Sequence, residues 1–286
     1  MVEPVIDTHV HIWDLSRAEY PWLKDDRSIL NRTYLLSELA PERLQANIVS
    51  GVLVQAAGNL EDTELMMEVA KQNSWIKGVV AWLPLMKPVD TRRLLEEKFL
   101  QEKYFKGVRH QMHDEKDPRW LLQPPVLESL QALAAYDIPY DIVGILPEHI
   151  DTAIRAANKA PGLRMVFDHL NQPPIASKEK FGRWGDLIKI AAQYPKCYAK
   201  ISGLGTAAGN HTSWSAADIL PYIEFALEHF GVDRCFFGGD WPVSLLAGSY
   251  TGTWQSYRQV AEKLLNPDER EKVFYTNAKL FYNLEM

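Results

Sequence analysis

Two histidines separated by one residue, His9-x-His11, lie inside the apolar run Val5–Ile12 near the beginning of the sequence. A short apolar run predicts a β-strand, in which alternate side chains point to opposite faces. Asp7 would share a face with the two histidines. The opposite face would carry Ile6, Val10 and Ile12. Two imidazoles on one face could hold a divalent metal or anchor an anionic substrate, and a pair of hydrogen-bonded core histidines is the alternative.

Further ionisable side chains lie at or near the ends of other apolar runs. They are Arg109 and His110, Asp168 and His169, Lys200, and Asp240. Polar groups of this kind are costly to bury, and perturbed ionisable groups cluster at functional sites. If the fold brings these run ends together, the sequence predicts a binding or catalytic site there.

The elements that must position these residues are eight apolar runs that alternate with amphipathic stretches of helical spacing. The runs are Val5–Ile12, Val49–Ala56, Ile76–Leu85, Phe105–His110, Ile138–Val143, Leu163–His169, Cys197–Ser202 and Cys235–Asp240. This alternation predicts an α/β protein with a (β/α)₈ TIM barrel, and a doubly wound open sheet is the competitor. In a barrel, Asp7, His9 and His11 would point to the interior.

The connections between these elements are unequal in length. Links from helix to strand are short, such as Ala160–Gly162, whereas links from strand to helix are long, such as Trp13–Ala40 and Leu170–Lys180. Long loops after the strands favour a site at their C-terminal ends, where barrel enzymes carry out their chemistry. We expect residues 1–286 to form a single domain, with Pro267–Met286 as a C-terminal helical extension.

Composition narrows the class of protein further. The 286 residues are 47% hydrophobic and carry a net charge of −6, which argues against a nucleic-acid partner. No stretch approaches the roughly 20 apolar residues of a membrane span, and Met1–Ile6 lacks the features of a secretory signal, so we expect a cytoplasmic protein. Cys197 and Cys235 lie in apolar runs, which predicts reduced core thiols.

Three motifs in this order resemble the amidohydrolase superfamily. They are His9-x-His11, Asp168-His169 and Gly239-Asp240-Trp241-Pro242, supported by Trp13-Asp14, Gly107-Val108-Arg109 and Lys200-Ile201-Ser202-Gly203-Leu204. The closer resemblance is to its amidohydrolase-related lactonase branch, which includes L-fuconolactonase, L-rhamnonolactonase and 2-pyrone-4,6-dicarboxylate lactonase, and it covers nearly the whole chain.

The resemblance implies a distorted barrel with the reaction at its C-terminal mouth. It implies that Asp240 is the general base and that His9, His11 and His169 form a polar cluster opposite it. Metal-dependent members usually have a histidine after the fifth strand, but this chain has Tyr140-Asp141-Ile142 there. We therefore expect at most a mononuclear site for one divalent metal such as zinc. Its ligands would be His9, His11, His169 and Asp240, and the reaction could dispense with the metal because not all lactonases of this branch depend on one.

Other residues suit the recognition of a small-molecule lactone. Arg109, His110 and Lys200 could hold its hydroxyl or carboxylate groups. For Arg109 and Lys200, an internal ion pair with an aspartate is the alternative. A flat wall beside a sugar ring, or ordinary hydrophobic cover, could be formed by Trp13, Trp22 and Trp241.

The chemistry that fits these residues is the hydrolysis of a lactone. Asp240 would take a proton from water, and a cationic or metal-bearing wall of histidines would polarise the carbonyl. The substrate class would be an aldonolactone or a related carboxylated lactone. The alternatives are a metal-dependent decarboxylase of the same superfamily and a non-catalytic barrel that binds a sugar acid. A homo-oligomer is compatible with the sequence.

Overall fold

Eight parallel strands form the centre of the molecule. The computed structural model describes residues 3–209 and 213–286. The strands are β1 (Val5–Val10), β2 (Ile48–Val54), β3 (Ile76–Ala81), β4 (Phe105–His110), β5 (Tyr140–Ile142), β6 (Met165–Phe167), β7 (Cys197–Ile201) and β8 (Cys235–Phe237). They pair in chain order, and a parallel bridge between Val10 and Trp241 joins the first strand to the chain after the last. The predicted barrel is confirmed.

Helices surround this sheet. They are α1 (Leu36–Gln45), α2 (Leu60–Gln72), α3 (Pro88–Glu97), α4 (Pro124–Ala135), α5 (Pro147–Lys159), α6 (Gly182–Ala192), α7 (Leu204–Ala207), α8 (Ala216–Phe230), α9 (Tyr250–Leu264), α10 (Pro267–Glu271) and α11 (Asn277–Phe281). The last two, joined by the π-helical turn Lys272–Thr276, form the predicted C-terminal extension. No helix among the described residues is long and apolar enough to cross a membrane.

The register of the strands identifies the side chains that point to the barrel interior. Asp141 on β5 and Lys200 on β7 form an ion pair although their strands are not neighbours, so both side chains must lie inside. Residues paired in register with them share that face. These include Arg109, Val166 and Phe236. The interior therefore contains a charged layer as well as apolar side chains.

The apolar side chains of the interior are closed off by the C-terminal extension. One buried cluster joins strand residues to the end of the chain: Ile6, Val52, Val54, Val80, Val166 and Phe236 from the strands, and Ala278, Phe281, Tyr282 and Leu284 from the extension. The extension thus covers the end of the barrel opposite the predicted site, and it reaches the charged layer through Tyr282.

The first strand departs from simple alternation, so part of its predicted orientation is wrong. Its pairing with β2 is irregular between Asp7 and Val10. Ile6 packs in the interior cluster, and the carboxylate of Asp7 accepts a hydrogen bond of 2.7 Å from the hydroxyl of Tyr250 on α9. A bulge changes which side the following residues face. His9 consequently points inward as predicted, although Asp7 does not.

The two cysteines agree with the sequence. Cys197 and Cys235 are free thiols, and both are buried. Burial raises the pKa of each thiol to about 12, so both are protonated and inert at neutral pH.

Candidate active site

A cavity of about 390 Å³ opens at the C-terminal ends of the strands. Its lining residues are His11, Trp13, Trp22, Ala56, Arg109, Gln111, His113, Val143, Ile145, His169, Gln172, Thr206, Asp240, Val243 and Leu246. The site therefore lies at the barrel mouth, as the long loops predicted. Six of the predicted site residues line it and His9 lies directly beneath, but Lys200, His110 and Trp241 are not part of the lining.

Asp240 lies three residues beyond the end of β8, where the chain turns sharply. Its φ of 56° is in the left-handed region, and its N–H donates to the carbonyl of His9 over 2.8 Å. The Oδ1 atom of Asp240 lies 3.8 Å from Nε2 of His9, 3.6 Å from Nε2 of His11 and 3.9 Å from Nε2 of His169. Burial raises the pKa of this carboxyl well above its ordinary value.

The three histidines are held by hydrogen bonds on their other sides. Nδ1 of His11 lies 2.7 Å from the carbonyl of Val54, which can only accept, so we place the proton of His11 on Nδ1. Nδ1 of His169 lies 2.8 Å from the hydroxyl of Ser202. Nε2 of His9 and Nε2 of His11 are 3.1 Å apart.

Burial also determines the charge of these histidines. It lowers the pKa of His9 and of His11 well below the ordinary value, and it lowers the pKa of His169 to about 3. All three rings are therefore neutral at physiological pH. Of the two expected forms of this wall, burial disfavours the cationic one, because a low-dielectric site disfavours the charged ring, and the metal-bearing one stays a prediction.

Arg109 supplies the positive charge that the histidines lack. Its guanidinium donates to Asp168 over 3.1 Å, to the side chain of Gln55 over 2.9 Å and to the carbonyl of Gln55 over 2.6 Å. The Nη1 atom also lies 3.2 Å from Nε2 of His9. Arg109 is thus an internal ion-pair partner, which was the alternative, and also a residue of the cavity wall, while its contact with substrate stays a prediction.

Lys200 lies beneath the cavity, and its predicted contact with substrate does not fit this position. Its side chain is fully buried, with Nζ 2.5 Å from Asp141 and 2.6 Å from Asp168. Burial alone would raise the pKa of Asp168, but Lys200, His9 and Arg109 together hold that pKa well below its ordinary value. The internal ion pair, which was the alternative for Lys200, is what the structure contains.

His110 and Trp241 also lie outside the cavity lining. The ring of His110 stacks on Trp120 at 3.9 Å and bonds to Glu115 and Trp82. The indole of Trp241 packs edge-on against Tyr34 and is almost fully buried. Both side chains contact neighbouring loop residues, and neither lines the cavity, so the predicted contact with substrate does not fit their positions.

An aromatic wall is present on one side of the cavity. Trp13 and Trp22 meet edge to face, with ring centroids 5.2 Å apart. The indole N–H of Trp22 donates to the carbonyl of Ala56 over 2.8 Å. Because this bond occupies the polar edge of Trp22, the faces of the indole rings are what the wall offers to an apolar part of a ligand.

Several residues shape the site in ways that the sequence did not reveal. Asp7 accepts bonds from the backbone N–H groups of His9 and Gly239, at 2.9 Å and 2.7 Å, and so fixes β1 to the turn before Asp240. The polar lining residues Gln111, His113, Gln172 and Thr206 were also missed. Two of them, Gln111 and His113, follow directly after β4, so their place after a strand was the available signal.

The donor set at the mouth fits one metal ion. Ligand atoms of His9, His11 and Asp240 all lie within 4.8 Å of one another. Two imidazoles and one carboxylate form a three-ligand set of the kind found in catalytic zinc sites. His169, the fourth predicted ligand, is not part of this group.

The chain matches the family model described as Amidohydrolase over residues 6–284. A barrel with polar residues at its mouth is the architecture of that class, and the chain belongs to the amidohydrolase family. The resemblance seen in the sequence motifs is confirmed.

Individual members of the family and solved structures are similar to this chain over nearly its whole length. The chain is 31% identical to L-fucono-1,5-lactonase of Burkholderia ambifaria over 286 residues, which cover 98% of this chain and 96% of the relative. A crystal structure of an amidohydrolase from Burkholderia multivorans with bound zinc has 29% identity and a TM-score of 0.87, and covers 98% of this chain and 99% of that one. The structure of the 2,6-dihydroxybenzoate decarboxylase of Rhizobium has a TM-score of 0.67, and the match covers 98% of each chain. The two sequences are 14% identical, so this likeness shows the fold alone.

Proposed function

We propose that this protein hydrolyses the lactone of a sugar acid. The observation that carries the proposal is the carboxylate of Asp240, which faces three neutral histidines across the floor of a cavity of about 390 Å³. The lactonase relatives support the same class of reaction.

The reaction needs a base for water and a positive environment for the carbonyl oxygen. Asp240 takes a proton from water, and the hydroxide oxygen forms a bond to the lactone carbonyl carbon. The guanidinium of Arg109 and the neighbouring imidazoles stabilise the negative charge that develops on the carbonyl oxygen. The ring C–O bond then breaks, and the proton returns from Asp240 to the leaving oxygen, which yields an open hydroxy acid.

A metal ion could take part in the same reaction. His9, His11 and Asp240 would hold the ion, and when bound it would polarise a carbonyl and acidify water. The residues above can also act without it, because a lactone is a reactive ester and Arg109 already provides positive charge.

Chelation is therefore expected to reduce activity in part or not at all. The guanidinium of Arg109, 3.2 Å from Nε2 of His9, disfavours a second cation at the same nitrogen. Metal analysis of the purified and the stripped protein, combined with steady-state rates of both, tests this. Complete loss on stripping, restored by one equivalent of metal, contradicts it.

The charge of the cavity favours a neutral lactone over a carboxylated one. Arg109 is the one Lys or Arg side chain among the lining residues that the structure describes, and its ion pair with Asp168 leaves it without a free valence for a substrate carboxylate, although its N–H groups still face the cavity. The remaining polar lining consists of amide, hydroxyl and imidazole groups, which suit the hydroxyl groups of a sugar. The tryptophan wall suits the flat face of the ring.

A panel of lactones tests both the activity and this charge preference. We expect kcat/KM for the best neutral aldonolactone to exceed that for 2-pyrone-4,6-dicarboxylate by about 100-fold or more, because each carboxylate would enter without an unpaired cation to receive it. Release of acid in a pH-indicator medium measures both rates. Failure to open any lactone would reject the proposed function, whereas a preference for the dicarboxylate would reject only the charge argument.

The other sequence hypotheses have weaker support. The decarboxylase shares only the fold, and the chain lacks the histidine after the fifth strand. A non-catalytic barrel would not need a carboxylate in contact distance of three histidines. A cytoplasmic location and the state of oligomerisation stay predictions.

A further inference from the structure

Two glutamines lie at the mouth of the barrel, each directly after a strand. Gln55 follows the last residue of β2, and Gln111 follows the last residue of β4. Gln55 is fully buried, whereas Gln111 is partly exposed and lines the cavity. A hydrogen bond of 3.1 Å joins the two side chains. A carboxamide has a donor end and an acceptor end, so the orientation of Gln111 decides what it offers to a ligand.

The guanidinium of Arg109 determines the orientation of both carboxamides. Its Nε atom lies 2.9 Å from the side chain of Gln55 and can only donate, so the oxygen Oε1 of Gln55 must face it. The NH₂ group of Gln55 then points to Gln111. Because this NH₂ group can also only donate, it must meet the oxygen Oε1 of Gln111.

Gln55 is itself held firmly by its main chain. Its carbonyl accepts a second hydrogen bond from Arg109, of 2.6 Å, and its backbone N–H donates to the carbonyl of Val80 over 2.9 Å. Both ends of its side chain are engaged as well. A group with all its partners in place cannot turn over without losing hydrogen bonds, so Gln55 is a rigid support for Gln111.

The NH₂ group of Gln111 is the end that remains for a ligand. Among the residues that the structure describes, only the oxygen of this side chain is engaged in a hydrogen bond. The strands pair in chain order around the barrel, so the chain after β4 lies across the mouth from the chain after β8, which carries Asp240. Gln111 therefore faces a part of the substrate that is remote from the base.

We propose that Gln111 determines substrate specificity, because its NH₂ group donates a hydrogen bond to one ring hydroxyl of the sugar lactone, and that Gln55 positions it for this contact. The inference rests on the proposed function, since it assigns part of the same cavity. Removing the hydroxyl from the substrate removes the acceptor for this donor. The pair of glutamines thus selects a hydroxylated ring over a deoxygenated one.

Gln111→Met tests the proposal, with Gln193→Met as its control. Methionine has a similar length but no N–H donor. We expect KM for the best neutral aldonolactone to rise by about tenfold with kcat within about threefold of the parent, because the lost contact is remote from the reacting carbonyl. Gln193 is exposed at the end of α6 and does not line the cavity, so its variant should keep both constants. An unchanged KM in Gln111→Met would contradict the proposal.

A set of monodeoxy lactones separates a direct contact from a general effect on the cavity. In the parent, removal of one particular hydroxyl should lower kcat/KM by about tenfold through the loss of this contact. In Gln111→Met, removal of the same hydroxyl should cost less than about twofold, because its partner is already absent. If every hydroxyl costs the same factor in the parent and in the variant, Gln111 has no partner on the substrate and the proposal fails.

The direction of the hydrogen bond is tested by replacing the same hydroxyl with fluorine, which can accept but not donate. If Gln111 donates, the parent should hydrolyse the deoxyfluoro lactone faster than the deoxy lactone, and this advantage should be smaller in Gln111→Met. The same advantage in the parent and the variant would refute the assigned orientation of the two glutamines.

The two proposals can fail separately. If the parent opens no lactone, the proposed function fails, and calorimetry with the neutral, ring-closed aldonolactam decides the role of Gln111. The parent should bind this lactam about tenfold more tightly than Gln111→Met does. Equal affinities, or a parent that binds no lactam, would reject the role. If Gln111→Met does not fold, Gln111→Ala takes its place with the same expected results.

Discussion

Asp240→Asn is expected to lower kcat/KM by about 10²-fold to 10⁴-fold while the protein stays folded. The asparagine keeps the shape of the side chain but cannot take a proton from water. Burial already disfavours the charged carboxylate, so a neutral amide should be tolerated at this position. Lactone hydrolysis rates and the melting temperature, measured on the same preparation, test both halves of the expectation.

The control for this variant is Asp151→Asn. Asp151 lies on α5 in an exposed ion pair with Arg155, and it does not line the cavity. Removing the charge of Asp151 should therefore leave the rate of hydrolysis unchanged. Activity of Asp240→Asn within a few-fold of the parent would show that another group is the base.

Lys200→Met is expected to lower the free energy of unfolding by about 3–5 kcal/mol. Methionine fills similar volume, but it leaves the buried carboxylates of Asp141 and Asp168 facing each other without a cation between them. Urea denaturation of the parent and the variant measures the difference.

Two further variants show whether the lost charge is the cause. Lys272→Met removes a lysine from an exposed pair with Asp233 and should cost no more than about 1 kcal/mol. Adding Asp141→Asn to Lys200→Met removes the carboxylate charge that has lost its cation and should recover part of the loss, since Asp168 keeps its ion pair with Arg109. If Lys200→Met lowers the free energy of unfolding by less than about 1 kcal/mol, the buried aspartates do not depend on the charge of Lys200.

The sequence predicted the eight strands because each is a short apolar run flanked by helical spacing. It also predicted His9, His11, His169 and Asp240 as one group, since the C-terminal ends of parallel strands meet at one mouth. It could not predict the orientation of Asp7, because the irregular pairing of β1 with β2 depends on the neighbouring strand and leaves no pattern in its own residues.

Depth within the barrel was the second property that the sequence did not reveal. Lys200 precedes the last residue of β7, so its side chain lies among the strands, whereas Asp240 lies three residues beyond Phe237 and reaches the mouth. The sequence shows both simply as polar residues near the end of an apolar run. The charge of the histidines depends on the same depth, because it is burial that lowers the pKa of all three rings.

The barrel is closed by parts of the chain that are distant in sequence, and this affects how the protein folds during its synthesis. Asp7 binds the backbone of Gly239 and the hydroxyl of Tyr250, and Tyr282 packs beneath β1. A ribosome releases the N-terminal residues first, so β1 must wait, with one edge unpaired, until more than two hundred further residues have emerged. Unpaired strand edges recruit other chains, and contacts between distant residues form slowly. Nascent chains of this protein are therefore exposed to aggregation for most of their synthesis, and β1 gains its second neighbour only after Trp241 has emerged.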